Sequence, residues 1–397
     1  MNKKELRYLF PVTKNCVYFN HAAVSPLARH SYEAMEDLAR DQRDWGAVHW
    51  RAWLGHYKRL REDAARLLNA TPGEIAILKN TSEGISFVAE GLDWSAGENV
   101  VTTDMEFPSN FVAWKRLERR GIECRQIANR DGRYDVSDVE AMIDGKTRVV
   151  AISSVSFHNG FRPDLEAIGE LCAASGVLLS VDAIQSLGAL AMDVKKCRIS
   201  FLSADGHKWM MGPEGLAIFY ASAEARERLT PLESGWMSIA RNATSVGSTT
   251  ELHRDARRFE AGAINTAGVC GLDASIAFLN SIGIGEIETE VIRLARLLAE
   301  KLSALGFAVR TPAPICSGIV ALTPPVEIDL VSVRQALRRG ASGDATGDLT
   351  PVQLLHAWLE LNGVICSARE GMLRFSPHFY NDDAEISLVA DLLGTLV

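Results

Sequence analysis

The chain has 397 residues, of which 47% are apolar, and its formal net charge is −8. A chain of this length is expected to form one large domain with a smaller companion, because a single core stops growing at about 250–300 residues. The apolar share excludes global disorder, and the acidic balance argues against nucleic-acid binding. Seven cysteines without a CxxC pair indicate isolated thiols rather than a disulfide framework or a metal site. With no secretory signal and no apolar stretch of spanning length, a cytoplasmic protein without membrane contact is expected.

Helical and strand patterns alternate along most of the chain. Helical periodicity runs over residues 31–68, and short apolar strands are predicted at 74–78, 100–103, 149–153, 178–181 and 199–202. Helices are predicted between them at 111–120, at 164–175 and directly after Gln185. This alternation predicts βαβ units and a mostly parallel sheet. After residue 268 the pattern changes to a long helix over 287–305 that Gly306 ends.

Polar or aromatic groups follow five of the predicted strands. In chain order they are Thr81 with Ser82, Glu106 with Phe107, residues 156–159, Asp182, and Lys208. Catalytic residues of parallel sheets lie at the carboxyl ends of the strands. One site on one rim of the sheet is therefore more plausible than five unrelated loops.

Lys208 lies between a short apolar strand and a run of glycines and a proline at 212–215. This context favours a buried amine, which has a lowered pKa and can form an imine with an aldehyde. The alternative is a solvated lysine in a connecting loop. Asp182 and Gln185, at the end of another predicted strand, favour the imine-forming role.

A phosphate site is predicted at residues 80–84, where a strand passes into a helix. The first N–H groups of a helix lack partners within it and lie at its positive end, and Thr81 and Ser82 add hydroxyl groups. The alternative is an ordinary helix cap. The chain has neither a Walker lysine motif nor a strand-borne G-x-G-x-x-G. A nucleotide is therefore not favoured as the source of the phosphate, and a nicotinamide-dependent dehydrogenase is not favoured as the class of enzyme.

Together these motifs resemble the fold-type I pyridoxal-phosphate enzymes of the class V aminotransferase family, which includes cysteine desulfurases, selenocysteine lyases, kynureninases and isopenicillin N epimerases. The segments that carry the resemblance are 18–23, 181–186, 206–215, 258–266 and 373–381. It implies an α/β fold whose large domain has a mostly parallel seven-stranded sheet flanked by helices, with a smaller α+β C-terminal domain. The expected ranges are 1–25 for an N-terminal segment joining the small domain, 26–266 for the cofactor-binding domain and 267–397 for the small domain.

The resemblance also implies roles at a pyridoxal 5′-phosphate site. Lys208 is expected to form the imine with the cofactor and to move protons at the substrate Cα, while Asp182 pairs with the pyridine nitrogen. Gln185 is expected at the ring oxygen, and Phe107 is expected to stack on the ring. The further residues expected to bind the cofactor, mainly at its phosphate, are Thr81, Ser82, Ser203, His207, Asn265 and Thr266.

Arg374 is the candidate for the substrate carboxylate, because a guanidinium offers a planar fork that matches it. Asn20, His21 and Asn159 are expected to line the substrate side, with a structural role as an equal alternative for each. Many desulfurases have serine at the position of Asp205. We expect this aspartate to orient His207 or Lys208 rather than to contact phosphate.

Three departures from the family pattern stand out: the first two bear on the reaction and the third on the subunit interface. Phe107 stands where desulfurases usually have histidine, and it cannot carry a proton. Cys366 has the pattern of a buried strand residue, with little room for the mobile cysteine loop of desulfurases. Ala263 replaces a threonine that often reaches the phosphate of the partner subunit, for which Asn265 or Thr266 could compensate. A homodimer with sites near the subunit interface is still expected.

These departures lead to transamination of a small amino acid as the expected reaction, with a persulfide-forming cysteine desulfurase disfavoured. The alternatives are a C–S or other β-eliminating lyase, a kynureninase-like hydrolase and an epimerase. A binding module without turnover is not favoured, since binding alone does not require the electron sink that Asp182 supports.

Overall fold

Residues 3–240, 250–340 and 348–397 are described by a computed structural model, with the backbone alone for residues 339 and 340. Helices α1 to α13 span Lys3–Tyr8, Arg29–Trp45, Trp50–Leu68, Thr81–Gly91, Pro108–Lys115, Val136–Met142, Leu165–Ala174, Ala223–Arg226, Thr266–Ile282, Ile284–Ala304, Leu330–Gly340, Pro351–Leu361 and Asp383–Gly394. Strands β1 to β13 span Val17–Tyr18, Ile75–Leu78, Asn99–Thr103, Glu123–Ile127, Thr147–Ser153, Leu178–Asp182, Phe201–Asp205, Ala217–Ala221, Ala308–Val309, Val320–Thr323, Val364–Ile365, Ser367–Arg369 and Met372–Phe375.

The main sheet has seven strands in the order β2-β8-β7-β6-β5-β3-β4. Strand β8 runs antiparallel to both of its neighbours, and the remaining pairs are parallel. Strands β2, β3, β6, β7 and β8 are buried along their whole length, as expected of a sheet covered by helices on both faces. The predicted α/β fold with a mostly parallel seven-stranded sheet is confirmed.

A smaller antiparallel sheet has the order β12-β13-β10-β9, and β1 pairs in parallel with β11. These strands and the helices beside them enclose a second hydrophobic core, which includes Phe19 from the N-terminal segment. Helix α9 packs in the core of the main sheet, whereas α10 contributes Ile287 and Val291 to that core and Leu294 and Leu298 to the second one. The change from one core to the other therefore falls within α10, and the ranges 1–25, 26–266 and 267–397 stay predictions.

Two stretches differ from the sequence-based expectation. The helical pattern over 31–68 divides into α2 and α3 at Gly46, whose φ of 60° ends the first helix. The helix expected after Gln185 does not form, and the chain makes turns there instead. Gly188 has a φ of 102°, and a Cβ at this position would lie 2.4 Å from the carbonyl oxygen of Trp209. The turns therefore pack directly against the backbone that follows Lys208.

Helices α9 and α10 meet at Gly283 with an angle of 84° between them. In the part of the chain that the structure describes, no single helix is long and apolar enough to cross a membrane. Among the described helices, α9 and α10 reach that length and composition only when taken together, as a bent pair.

Candidate active site

One edge of the main sheet gathers the polar groups that follow its strands. The parallel register places Asp182 at the end of β6 opposite Ser153 on β5 and Ser203 on β7. Lys208 follows β7 by three residues, in a turn that closes with the Met211 N–H donating to the Lys208 carbonyl. Because the carboxyl ends of parallel strands share one edge of a sheet, this edge is where a ligand site is expected.

Lys208 is 9% exposed. Burial lowers the pKa of its amine to about 8, Asp182 and Asp205 oppose this shift, and Arg374 adds to it. Its Nζ lies 5.6 Å from the centre of the Phe107 ring. The site therefore holds a lysine whose neutral, nucleophilic form is well populated near pH 8, beside an aromatic face.

Asp182 is 2% exposed, and burial raises the pKa of its carboxyl to about 7. Its Oδ1 accepts a hydrogen bond of 3.0 Å from the N–H of Ile184, which favours the ionised form, as does the charge of Lys208. A carboxyl in this position is sensitive to a new cation, since a positive partner would bring it fully into the ionised form. A protonated ring nitrogen is such a partner.

Both polar atoms of the Gln185 side chain have partners. Its Oε1 accepts from the indole N–H of Trp209 at 3.0 Å, and its Nε2 donates to the carbonyl of Ala22 at 3.0 Å. The indole fixes which end of the amide is the acceptor, and the second N–H of Nε2 remains to be donated. Trp209 was missed by the sequence reasoning, although it is the residue that follows Lys208.

Thr81 and Asp205 hold each other through two hydrogen bonds. The Thr81 N–H donates to Asp205 Oδ1 at 3.1 Å, and the Asp205 N–H donates to Thr81 Oγ1 at 2.8 Å. Ser203 Oγ donates to the carbonyl of Thr81 at 3.2 Å, so β7 and the start of α4 form one unit. Asp205 thus makes its hydrogen bonds with Thr81, rather than with His207 or Lys208 as expected from the sequence.

The remaining residues predicted at the phosphate lie near the same helix end. Ser82 is exposed, and its Oγ donates to Ser109 Oγ at 2.8 Å. Asn80 caps α4, since its Oδ1 accepts from the N–H of Glu83 at 2.8 Å. His207 Nδ1 is buried without a hydrogen-bond partner among the described residues, and burial lowers the pKa of the ring. A buried, unpartnered ring nitrogen is available to a ligand.

Asn265 and Thr266 have partners within the chain. The Asn265 side chain accepts from the N–H of Gly268 and caps α9, and Thr266 Oγ1 lies 2.9 Å from the Tyr57 hydroxyl. Ala263 lines a pocket of about 340 Å³ together with Lys79 and Glu83, next to the start of α4. The segment around Ala263 thus lies beside the helix predicted to bind phosphate, while the amide and hydroxyl expected to compensate for its missing side chain are already hydrogen-bonded.

Arg374 is 1% exposed and lies on β13. Its Nε donates to Ser367 Oγ at 3.1 Å and its Nη1 to the carbonyl of Phe157 at 2.5 Å, whereas Nη2 is buried without a partner among the described residues. Burial lowers the pKa of the guanidinium to about 10, and Arg369 adds to this. Ser367 and Phe157 hold the side chain so that one edge of the fork is free for an anion.

The other residues predicted on the substrate side differ in how they are engaged. Both ring nitrogens of His21 are bonded, Nδ1 with the carbonyl of Ser376 at 2.7 Å and Nε2 with the Tyr380 hydroxyl at 2.8 Å. Asn159 donates to the carbonyl of Gly132 and accepts from the Phe161 N–H. Of these three residues, only Asn20 has a buried polar side-chain atom without a hydrogen-bond partner among the described residues, its Oδ1. The structure therefore gives His21 and Asn159 structural partners and leaves Asn20 with a free acceptor.

Cys366 lies between β11 and β12 and is 3% exposed, in the core of the small sheet. Burial raises the pKa of its thiol to about 12. No group of three or more metal-ligating side chains occurs within residues 3–240, 250–340 and 348–397.

These residues fit a phosphorylated aldehyde cofactor with a basic ring nitrogen. Lys208 offers the amine, Asp182 the carboxyl for the ring nitrogen and Phe107 an aromatic face, and His207 Nδ1 is a buried atom that needs a partner. Fold and site together define the class: a pyridoxal-phosphate enzyme of fold-type I.

The comparison with known sequences gives the family. The sequence model described as "Aminotransferase class-V" matches residues 17–389. A probable cysteine desulfurase of Methanothermobacter thermautotrophicus is 30% identical over 400 residues, covering 99% of this chain and 98% of that protein. The chain belongs to the class V aminotransferase family, and its cofactor is pyridoxal 5′-phosphate.

Solved structures agree with the fold. The apo structure of a cysteine desulfurase from Thermococcus onnurineus NA1 superposes with a TM-score of 0.82 at 28% identity, covering 99% of this chain and 97% of that one. A complex of the cystine C–S lyase C-DES with its product cysteine persulfide has a TM-score of 0.86 at 22% identity, with 98% and 99% covered, and supports the fold alone.

The expectation of transamination, which disfavoured a persulfide-forming cysteine desulfurase, is wrong. A relative that matches over almost the whole chain is named a probable cysteine desulfurase, and the solved structure at 28% identity is that of a cysteine desulfurase. The expectation weighed two positions, Phe107 and Cys366, against the whole chain. Neither of them is the amine, the buried carboxyl or the buried guanidinium of the site, which are those of Lys208, Asp182 and Arg374.

Proposed function

We propose that the protein is a cysteine desulfurase, which breaks the Cβ–Sγ bond of L-cysteine. L-Cysteine and a thiol give L-alanine and the persulfide of that thiol, so the sulfur moves to the acceptor and Cβ gains one hydrogen. The observation that carries the proposal is the unpaired Nη2 of buried Arg374 within the electrostatic reach of Lys208, since it positions an amino-acid carboxylate beside the reactive amine. The names of the relatives support the choice of cysteine.

Pyridoxal 5′-phosphate bound through Lys208 supplies an electron sink for the substrate Cα. In the proposed site, Asp182 pairs with the ring nitrogen and keeps it protonated, because a buried carboxyl gains from an adjacent cation. Trp209 fixes the orientation of the Gln185 amide, whose free N–H would donate to the ring oxygen. Phe107 covers one face of the ring.

The phosphate is assigned to the start of α4 and the turn before Lys208. The proposed contacts are the exposed Ser82 hydroxyl and the unpartnered Nδ1 of His207. Thr81 and Ser203 hold that end of the helix against β7. Asn265 and Thr266, already bonded within the chain, act at most by positioning the segment around Ala263.

Lys208 is the residue proposed to move protons at the substrate Cα. Its pKa near 8 lets it both lose and regain a proton close to neutral pH. Phe107 has no ionisable group, so the proton transfers that a histidine could share at this position fall to Lys208. This is the single catalytic base that the proposal requires.

Arg374 binds the substrate carboxylate through its free Nη2, and the unpartnered Oδ1 of Asn20 accepts a hydrogen bond on the substrate side. His21 and Asn159 support the walls of the site through their structural hydrogen bonds. This arrangement selects α-amino acids, because it offers a charged partner for the carboxylate.

The acceptor thiol is the second partner of the reaction. Cys366 immediately precedes Ser367, which holds Arg374, but its thiol is buried with a raised pKa, so the segment must move before that thiol could take sulfur. An added thiol such as dithiothreitol therefore measures bond cleavage independently of Cys366.

A homodimer is the proposed assembly, and the cytoplasm the proposed compartment. Trp236, 58% exposed, lines a cleft of about 680 Å³ with Trp50, Leu54 and Met237, and apolar surface of this kind favours association. All seven cysteines are free thiols, as in a reducing compartment.

The test is a product analysis with L-cysteine and dithiothreitol. The proposal predicts alanine and sulfide in equal amounts, the sulfide being released from the dithiothreitol persulfide. Pyruvate with ammonia would show elimination instead, and an amino group passed to an added keto acid would show transfer; either as the main outcome would contradict the proposal.

A further inference from the structure

The carboxyl group of Asp205 lies at the N-terminal end of α4, where the phosphate is proposed to bind. It accepts the N–H of Thr81, the first residue of this helix, at 3.1 Å. Asp205 is 8% exposed, and its backbone N–H is tied to the Thr81 hydroxyl, which fixes the carboxyl beside the helix end. A negative side chain therefore already lies at the end of the helix that would attract an anion.

A phosphate ester and an ionised carboxyl disfavour each other when they share a buried site. Two like charges in close contact raise the pKa of one of the groups, so that one proton is held between them. A serine at this position would avoid the conflict, because its hydroxyl can donate to phosphate in any protonation state. An aspartate can donate only when it is protonated.

The surroundings of Asp205 already favour its protonated form. Burial raises the pKa of its carboxyl to about 6, and the charge of Asp182 on β6 raises it further. The hydrogen bonds of Thr81 from α4 and the charge of Lys208 act in the opposite direction. Burial and the charge of Lys208 lower the pKa of the neighbouring His207, which disfavours a compensating positive charge on that ring.

We propose that Asp205 takes up a proton when the cofactor phosphate binds at the start of α4, and then donates a hydrogen bond to a phosphate oxygen. This rests on the phosphate placement proposed above. Binding of the phosphorylated cofactor is then coupled to pH through Asp205 as well as through Asp182, whereas binding of the same ring without phosphate is coupled through Asp182 alone. Asp205 is thus a binding residue that contacts the phosphate in its protonated form.

Pyridoxine 5′-phosphate is the probe, because it lacks the aldehyde and forms no bond to Lys208. Its Kd is measured by titration calorimetry on the full-length chain freed of cofactor, at pH 6.5 and 7.5. The proton taken up by Asp205 alone raises the wild-type Kd roughly five- to tenfold between these values. The pH range lies below the pKa of Lys208, which limits the contribution of that amine.

Asp205→Asn keeps an acceptor for the Thr81 N–H and a donor for phosphate but carries no charge. The titration of Asp182 affects both proteins alike, so the ratio of the wild-type Kd to that of Asp205→Asn should rise roughly five- to tenfold over this range. At pH 7.5 the Kd of the variant should be about 30-fold below that of the wild type, the cost of protonating a group of pKa about 6 at this pH. Asp205→Ser is a second uncharged variant with the same expected profile, which keeps the test valid if one variant folds poorly.

Ser203→Ala is the matched control, since Ser203 contacts Thr81 but is uncharged, and it should keep the wild-type pH profile. The ³¹P resonance of the bound probe should be that of the dianion at pH 7.5, and together with the smaller pH dependence of Asp205→Asn this places the proton on Asp205. Equal pH profiles in the wild type and Asp205→Asn, or a monoanion resonance, overturn the inference even if alanine is formed from cysteine. A wild type that does not bind the probe overturns the phosphate placement and the inference together, while the product analysis tests the desulfurase proposal separately.

Discussion

Arg374→Gln removes the charge that is proposed to bind the substrate carboxylate while preserving most of the side-chain volume. The guanidinium is 1% exposed, and its Nη2 has no partner among the described residues. Glutamine can still bond with Ser367 or with the carbonyl of Phe157, so the walls of the site should stay in place. The change therefore affects the carboxylate more than the cofactor.

The magnitude follows from the burial of the pair. Truncating one partner of a buried, hydrogen-bonded charge pair costs about 2–4 kcal/mol, which corresponds to about 30- to 1000-fold in kcat/KM. Most of the loss should lie in KM, because the carboxylate is bound equally before and during bond cleavage. The visible absorption of the bound cofactor should remain that of the wild type.

The assay measures alanine release from L-cysteine over a range of substrate concentrations, with cysteamine as a second substrate that lacks the carboxylate. Cysteamine turnover should be nearly the same in the wild type and in Arg374→Gln. Arg369→Gln is the matched control, since this neighbouring arginine is exposed, and its kcat/KM should change less than threefold. An unchanged KM for cysteine in Arg374→Gln, or an equal loss with cysteamine, would refute the assignment.

Further predictions concern the cofactor side of the site. Asp182→Asn should abolish turnover yet stabilise the cofactor-free protein at pH 8 by at most about 4 kcal/mol, because burial raises the pKa of this carboxyl from 3.8 to about 7 and about 1.4 kcal/mol corresponds to each pKa unit. The stability contributed by the protonated carboxyl is present below pH 3.8 and is lost as the pH rises through 7. Urea unfolding should therefore show almost the same free energy of unfolding for Asp182→Asn and the wild type at pH 4. An equal increase in the free energy of unfolding at pH 4 and pH 8 would contradict this. Trp209→Phe should weaken cofactor binding about five- to tenfold, because Gln185 loses the donor that fixes its amide, and the double variant with Gln185→Leu should be no weaker than Gln185→Leu alone. Additive losses in the double variant would show that the two residues act separately. The rate of alanine formation should rise with an apparent pKa near 8 as Lys208 loses its proton, and a flat profile between pH 7 and 9 would exclude this amine as the base.

The sequence predicted the sheet well because its signals are local. Short apolar runs alternating with helical periodicity are typical of parallel α/β folds, and the resemblance supplied the number of strands. The turns after Gln185 were not predicted, because the positive φ of Gly188 is set by its contact with the carbonyl of Trp209, far away in the sequence. The same holds for the division of α2 and α3, which depends on the backbone conformation of Gly46.

The site was predictable in its residue types but not in its partners. Lys208, Asp182 and Arg374 carry side chains whose chemistry suits few other roles at the rim of a sheet. The bonding of Asp205 to Thr81, across 124 residues, depends on how β7 meets α4. Ser367 could have been found from a β-hairpin register opposite Arg374, as the structure has it. The reaction was misjudged because single substitutions say little about which bond is broken.

Desulfuration through Lys208 is tested most directly by the reaction of L-cysteine and dithiothreitol in D₂O, followed by NMR of the products, for the wild type and Lys208→Ala. The wild type should form alanine with at least one deuterium in its methyl group, since Cβ gains a hydrogen from exchangeable sites once the sulfur has left. Lys208→Ala should form no alanine while still binding cofactor. Alanine from Lys208→Ala at the wild-type rate, or pyruvate as the main product of the wild type, would contradict the central claim.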